Sequence, residues 1–194
     1  MALVDGRPYL RHDSTEPFPL DDGSIGLVFS EHFIEHVTPG AAIEWLREMR
    51  RLLRRGGAIR ISTPDLRKYV QGYVDRGSPM FDEHRRRLEL MLARFLQADA
   101  RGERARAVNR DYLLGETEIP DRPAFMLNQV FLFPIWHHRW LYDLDELRHV
   151  AGRAGFPASS VSECGFRQGS VAELAALDAP DHDDESIYVE ILRD

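Results

Sequence analysis

Three consecutive segments constrain this chain more than anything else in it: an apolar run, a one-sided helical pattern and a second apolar run. Ile25-Gly-Leu-Val-Phe29 is continuously apolar, as in a strand covered on both faces. Thr38-Pro-Gly then supplies an N-cap with proline at the first helical position. Ala42, Ile43, Leu46, Met49, Leu52 and Leu53 recur on one face of a helix over 41–53. Arg54-Arg-Gly-Gly57 places basic residues at the helix C-terminus and a glycine for a left-handed cap. Ala58-Ile-Arg-Ile-Ser62 reads as the next strand, ended by Thr63-Pro-Asp65. Strand, helix and strand in this order predict a parallel pair within an α/β sheet.

The rest of the chain extends that sheet. Tyr9-Leu-Arg-His12 is a short strand candidate, followed by a turn-rich stretch over 13–24. A helix from about Leu144 leads into a strand over 160–166, and 186–192 closes the sheet. The stretch 66–134 carries a helical pattern at Leu88, Met91, Leu92, Phe95 and Leu96 and reads as a helical insertion. With 194 residues and 43% hydrophobic content the chain can bury one good core, so a single domain over 1–194 is expected.

Composition excludes several classes. No run approaches 18 apolar residues and the first residues lack a signal-peptide pattern, so a soluble, cytoplasmic protein without a membrane partner is expected. A net charge of −7 argues against a nucleic-acid partner, which would need surplus basic charge on one face. The 25 basic residues include one lysine, Lys68, and most arginines read as solvated surface. His84-Arg-Arg-Arg87 is the densest basic spot, read as a helix's solvent face in preference to a phosphate patch. Cys164, the single cysteine, forbids an intramolecular disulfide and reads as a buried structural thiol.

His32-Phe-Ile-Glu-His36 poses a direct chemical question, because H-x-x-E-H is an inverted zinc-protease motif. In that reading His32 and His36 share a helix face and hold zinc while Glu35 takes a proton from its bound water. It requires His32 to lie inside a helix, whereas a strand runs directly into Ser30. The expectation is therefore no metal, with Glu35 and His36 capping or pinning the loop to the next helix.

"EPFPLDDGSIGLVFSEHFIEHV", "AAIEWLREMRRLLRRGG", "AIRISTPDL", "WHHRWLYDLDELRHVAGRAGF" and "ESIYVEILR" together resemble a class I S-adenosylmethionine-dependent methyltransferase of the methyltransferase type 11 group. The resemblance covers nearly all of 9–193 and implies a Rossmann-like fold with sheet order 3-2-1-4-5-7-6. It makes 25–29 the fourth strand and 66–134 a substrate-covering insertion after the fifth. No glycine-rich turn follows an apolar run anywhere, and only about eight residues precede the third-strand equivalent. The fold is thus expected to be N-terminally truncated, without its first two strands.

What the resemblance implies for the site is specific. S-adenosylmethionine is the cofactor and a small or sugar-like molecule the substrate. Asp13 takes the place of a carboxylate near the adenine, or else only forms an Asx turn, and Ser14 follows it. Ser30, Glu31 and His32 lie on the loop beside the methionine portion and the transferred methyl, with His32 as general base. Trp136, His137, His138 and Tyr142 would wall a substrate pocket, or else the aromatics there glue the insertion to the sheet. His182, within the acidic stretch 176–185, reads as part of a solvated loop in preference to a metal site.

Three functions compete: a methyltransferase, a non-catalytic binding or assembly module on the same fold, and a zinc hydrolase using His32, Glu35 and His36. Loss of the first two strands would bare the apolar edge 25–29, to be covered by residues 1–11 folding back, by the same segment swapped into a second copy, or by two such edges meeting across a two-fold axis, with a homodimer favoured.

Overall fold

The computed structural model describes residues 2–4, 7–75, 79–98, 122–132 and 137–194, without the side chains of 2–4, 7–9, 91–98 and 129–132. The strand, helix and strand unit forms at its centre. Strand β3 (Ile25–Glu31) leads through a single 3-10 turn, Ile34–His36, into helix α1 (Pro39–Leu52), and β4 (Leu53–Pro64) returns parallel to β3. The α1 N-terminus is built as its residues dictate: Thr38 Oγ1 accepts from the Ala41 N–H at 3.3 Å, and Pro39 opens the helix. Ala42, Trp45, Leu46, Met49 and Leu52 bury one face of α1 against the sheet. Each large apolar side chain there contributes about 1.5–3 kcal/mol.

The helix stop differs from the sequence expectation. The C-cap is Leu53 in extended backbone, and the left-handed residue is Gly56, φ 76°, inside a bulge. β3 pairs Ile25 with Leu53 and then Leu27 with Ala58, so 54–57 loops out of the ladder. Gly57 closes that bulge at close range: a Cβ there would sit 2.7 Å from the Gly26 carbonyl oxygen.

Two further strands complete the main sheet. β5 (Val161–Cys164) and β6 (Ser186–Leu192) give the order β3-β4-β6-β5, with β6 antiparallel to both of its neighbours. Helix α5 (Leu144–Arg153), capped by the Asp143 side chain on the Glu146 N–H, packs on α1 and brings Leu147, Val150 and Ala151 into the core. The first residues do not extend the sheet. β1 (Ala2–Val4) and β2 (Arg7–Tyr9) pair antiparallel with each other, so the expected 9–12 strand lies two residues earlier and in a separate hairpin. β3 is therefore an edge of the sheet among the described residues, and Leu27 on it is 42% exposed.

Helices α2 (Leu66–Val74), α3 (Pro79–Ala98) and α4 (Pro123–Leu132) fill the described part of the stretch after β4. They share a second apolar cluster of Tyr69, Met80, Phe81, Leu88 and Met126 with Leu141. Residues 76–78, 99–121 and 133–134 of the expected insertion lie outside the described residues. The solvent face read for 84–87 divides: Arg85 and Arg86 point outward, but His84 and Arg87 are buried, because they fall on the apolar side of α3 with Met80, Phe81 and Leu88. Arg60 likewise has no exposed surface, although most arginines read as surface. Cys164 is half-buried at the end of β5, not fully buried. No helix among the described residues is long and apolar enough to cross a membrane.

Candidate functional site

The carboxyl end of β3 gathers most of the chemistry. Ser30 and Glu31 are the last two residues of the strand, paired with Ile61 and Ser62, and not the start of the following loop. His32 comes next in a left-handed conformation, φ 47°, held by its N–H donating to the Ser62 carbonyl at 2.9 Å. A non-glycine residue in that region costs on the order of 1–3 kcal/mol and persists only where its surroundings impose it. The twist turns the imidazole inward, so that Nε2 lies 2.9 Å from Ser186 Oγ and Nδ1 3.2 Å from Glu35 Oε1. The second contact is a charge contact without hydrogen-bond alignment, and it leaves Glu35 Oε1 without a hydrogen-bond partner.

Glu35 is wholly buried and fixed from several sides. Its Oε2 accepts from Thr63 Oγ1 at 2.9 Å, and its backbone carbonyl accepts from the N–H groups of Arg139 (2.7 Å) and Trp140 (3.2 Å). Burial alone would raise its pKa, but His32 and Thr63 outweigh burial and hold it below the usual carboxylate range. Burial pulls His32 down, yet Glu35 and the charges of Glu185 and Glu31 prevail and push it above its ordinary value.

The segment 182–185 repeats the same device. His182 Nδ1 lies 2.8 Å from Glu185 Oε1, with the His-x-x-Glu spacing of His32 and Glu35. The other oxygen, Glu185 Oε2, accepts from the Tyr69 hydroxyl, lies 3.0 Å from His84 Nδ1 and pairs with Arg87 Nη2 at 3.2 Å. Burial raises the Glu185 pKa, but His182, His84 and Arg87 more than offset this and hold it well below the carboxylate range. The two imidazoles meet, with His32 and His182 ring centres 4.4 Å apart. This overturns the reading of 176–185 as a solvated loop: Asp178 and Glu185 are buried anchors, and His182 is half-buried between them.

The zinc-protease geometry does not form around H-x-x-E-H. His32 precedes the 3-10 turn that holds Glu35 and His36, and the two histidines enter different clusters. His32 joins His182 and Glu185, with one ligand atom from each within 4.8 Å of the others, while His36 joins Glu35 and His138.

Beside β3 runs an open, largely apolar cavity of about 560 Å³. Phe18, Val28, Trp45 and Met49 form much of its wall, and Ser14, Ser30 and Glu31 also line it. Asp13 does not: it is exposed, and its Oδ1 accepts from both the backbone N–H and the hydroxyl of Thr15, an Asx turn. The expected substrate wall is scattered. Trp136 lies outside the described residues, and His137 is exposed in a left-handed conformation, φ 54°. His138 is half-buried against His36 at 4.9 Å. Tyr142 is fully buried beneath α2, bridged to Asp65, and burial pushes its phenol pKa up.

Sequence reasoning placed His182 in a solvated loop, did not single out Glu185, and read His84 and Arg87 as part of a helix's solvent face. The signal that could have found the first two is the recurrence of His-x-x-Glu at 32–35 and 182–185. Residues 3–61 match the family model for a methyltransferase domain, type 11. That stretch holds Asp13, Ser14, Ser30, Glu31, His32 and Glu35, whereas 137–142 and 182–185 lie beyond it. No curated protein matches the chain. The mixed α/β sheet agrees with this match, which supports a likeness of residues 3–61 to the class I methyltransferases of the type 11 group.

Proposed function

We propose that this chain is a methyltransferase-like protein that holds S-adenosylmethionine in the cavity beside β3 and directs its methyl group to a small molecule at the His32 end. The observation that carries the reading is the cavity's position, along the edge strand of a β3-β4-β6-β5 sheet and reaching the carboxyl end of β3. Ligands of open α/β sheets bind outside the carboxyl ends of the strands. About 560 Å³ with apolar walls and three polar groups suits a nucleoside-sized ligand. Ser14, Ser30 and Glu31 are the residues that would hold it. When bound, the cofactor supplies an electrophilic methyl group on a sulfonium. No glycine-rich turn contributes backbone amides, so binding is expected to be weak.

In this reading 1–194 acts as one unit, and α2, α3 and α4 cover the acceptor end. The reach of Tyr69, His84 and Arg87 to Glu185 supports that role. The test is amide NMR of the chain titrated with S-adenosylhomocysteine. Saturable shifts at Gly26 to Phe33 and at Ser14 are expected. Unmoved resonances there at millimolar ligand would overturn the proposal.

The edge of β3, unpaired among the described residues, favours a second reading, in which the fold serves assembly: two copies pair through 25–29 across a two-fold axis.

A further inference from the structure

We propose that His32, His182 and Glu185 bind a first-row divalent cation, zinc or a congener, at the carboxyl end of β3. The chain has eight histidines, and four of them, His32, His36, His138 and His182, fall in the two clusters built on buried Glu35 and Glu185. A fifth, His84, touches Glu185 from behind. Histidines arriving from just after β3, the 3-10 turn Ile34–His36, α3, the 137–142 segment and the 3-10 turn Pro180–His182 are not explained by the apolar packing of any one element.

The donor set is the one such cations take. Two imidazoles and one carboxylate, each offering an atom within 4.8 Å of the others, match a three-ligand site with an open position. His32 and His182 are 18% and 30% exposed at their side chains, so an ion and a further ligand can reach them from solvent. The surrounding groups have the arrangement that orients metal ligands. Glu35 Oε1 stands 3.2 Å behind His32 Nδ1, a charge contact that favours the proton on that nitrogen and turns Nε2, now beside Ser186 Oγ, to the site. Glu185 Oε2 is committed to Tyr69, His84 and Arg87, so Oε1 is the oxygen turned to the site.

The nearby cations leave Glu185 Oε1 to the site, since Arg87 reaches Glu185 only at Oε2. Arg87 Nη1 and Nη2 bind the Asp184 carboxylate, and the Lys68 ammonium donates to the carbonyls of Asp183 and Ser186. The left-handed backbone of His32 is the strain expected where a side chain must be aimed. In place of the general base that the resemblance implied, His32 becomes a ligand. The cluster shares only the Glu35 contact with His36 and His138, and the inference does not depend on methyl transfer.

The experiment is equilibrium dialysis of the chelator-treated full chain against zinc, with metal counted by mass spectrometry and the variants His182→Ala, His182→Gln and His138→Ala compared. One ion per chain is expected, with affinity lowered on the order of 100-fold or more by either His182 change and unaltered by His138→Ala. Circular dichroism melts establish that each variant is folded. Histidine side-chain ¹⁵N NMR of the unaltered chain gives a reading free of mutation, in which zinc shifts the His32 and His182 ring nitrogens and leaves His138 in place. Absence of stoichiometric zinc at about 100 μM free metal, a concentration far above a typical site's dissociation constant, would overturn the proposal. So would binding indifferent to His182, or binding lost with His138 alone.

Discussion

Arg60 and Asp178 meet in a two-point ion pair across 118 residues of chain, Nε to Oδ1 at 2.7 Å and Nη2 to Oδ2 at 2.6 Å, with neither side chain exposed. Glu190 Oε1 accepts from Nη1 at 3.0 Å, and the carbonyls of Gly165 and Gln168 take further guanidinium hydrogens. Arg60 thereby ties the 165–178 segment to the sheet. Asp178→Ala leaves a buried guanidinium without its main partner and is expected to destabilise the fold by about 3–5 kcal/mol. Urea denaturation measures this, and a loss within about 0.5 kcal/mol, the range of an ordinary surface substitution, would contradict the clasp.

Asp65 gives a pH-dependent expectation. Burial raises its pKa, while its Oδ1 caps α2 by accepting from the Arg67 N–H at 2.9 Å. A raised folded-state pKa means that stability is greatest below the unfolded carboxyl value and is lost as pH rises through the folded one. Asp65→Asn keeps a capping oxygen and removes the buried charge, so it should stabilise the protein at neutral pH. The gain should vanish in acid, below the ordinary aspartate value of 3.8. Asp65→Ala should instead cost about 1 kcal/mol through the lost cap. Thermal melts between pH 3 and 7, roughly the span over which a carboxyl of this kind titrates, check both signs.

The β3 edge is expected to make the chain a dimer at micromolar concentration. Leu27→Lys, at a position already exposed, and the pair Ile25→Lys with Val28→Lys should yield monomers by light scattering, with Leu27→Lys keeping its melting transition. A monodisperse monomer for the unaltered chain would defeat this expectation.

Calorimetric titration with S-adenosylhomocysteine should give a dissociation constant no tighter than about 100 μM, because no glycine-rich turn brings backbone amides to the ligand. A constant near 1 μM, about −8 kcal/mol, would show that β3, Ser14 and the cavity wall suffice without it.

The sequence by itself determined the central unit and the start of its helix. Thr38 and Pro39 start α1 with local hydrogen bonds and a preset backbone angle, and the spacing from Ala42 to Leu52 decides which face is buried. The apolar runs at 25–29 and 58–62 place the parallel pair, and 186–192 forms the last strand of the chain. These features depend on neighbours a few residues away, so they can be read in one dimension. What Arg60, Asp178, His182 and Glu185 do depends on groups more than 100 residues distant, and residue type alone argued for the surface. Only the tertiary structure brought opposite charges to them under cover of α2, α3 and β6, where burial makes each partner indispensable. The same holds at His32. Its spacing to Glu35 was visible in the sequence, but the backbone turn that separates it from His36 and sets it against His182 follows from the pairing of β3 with β4 and the register of β6.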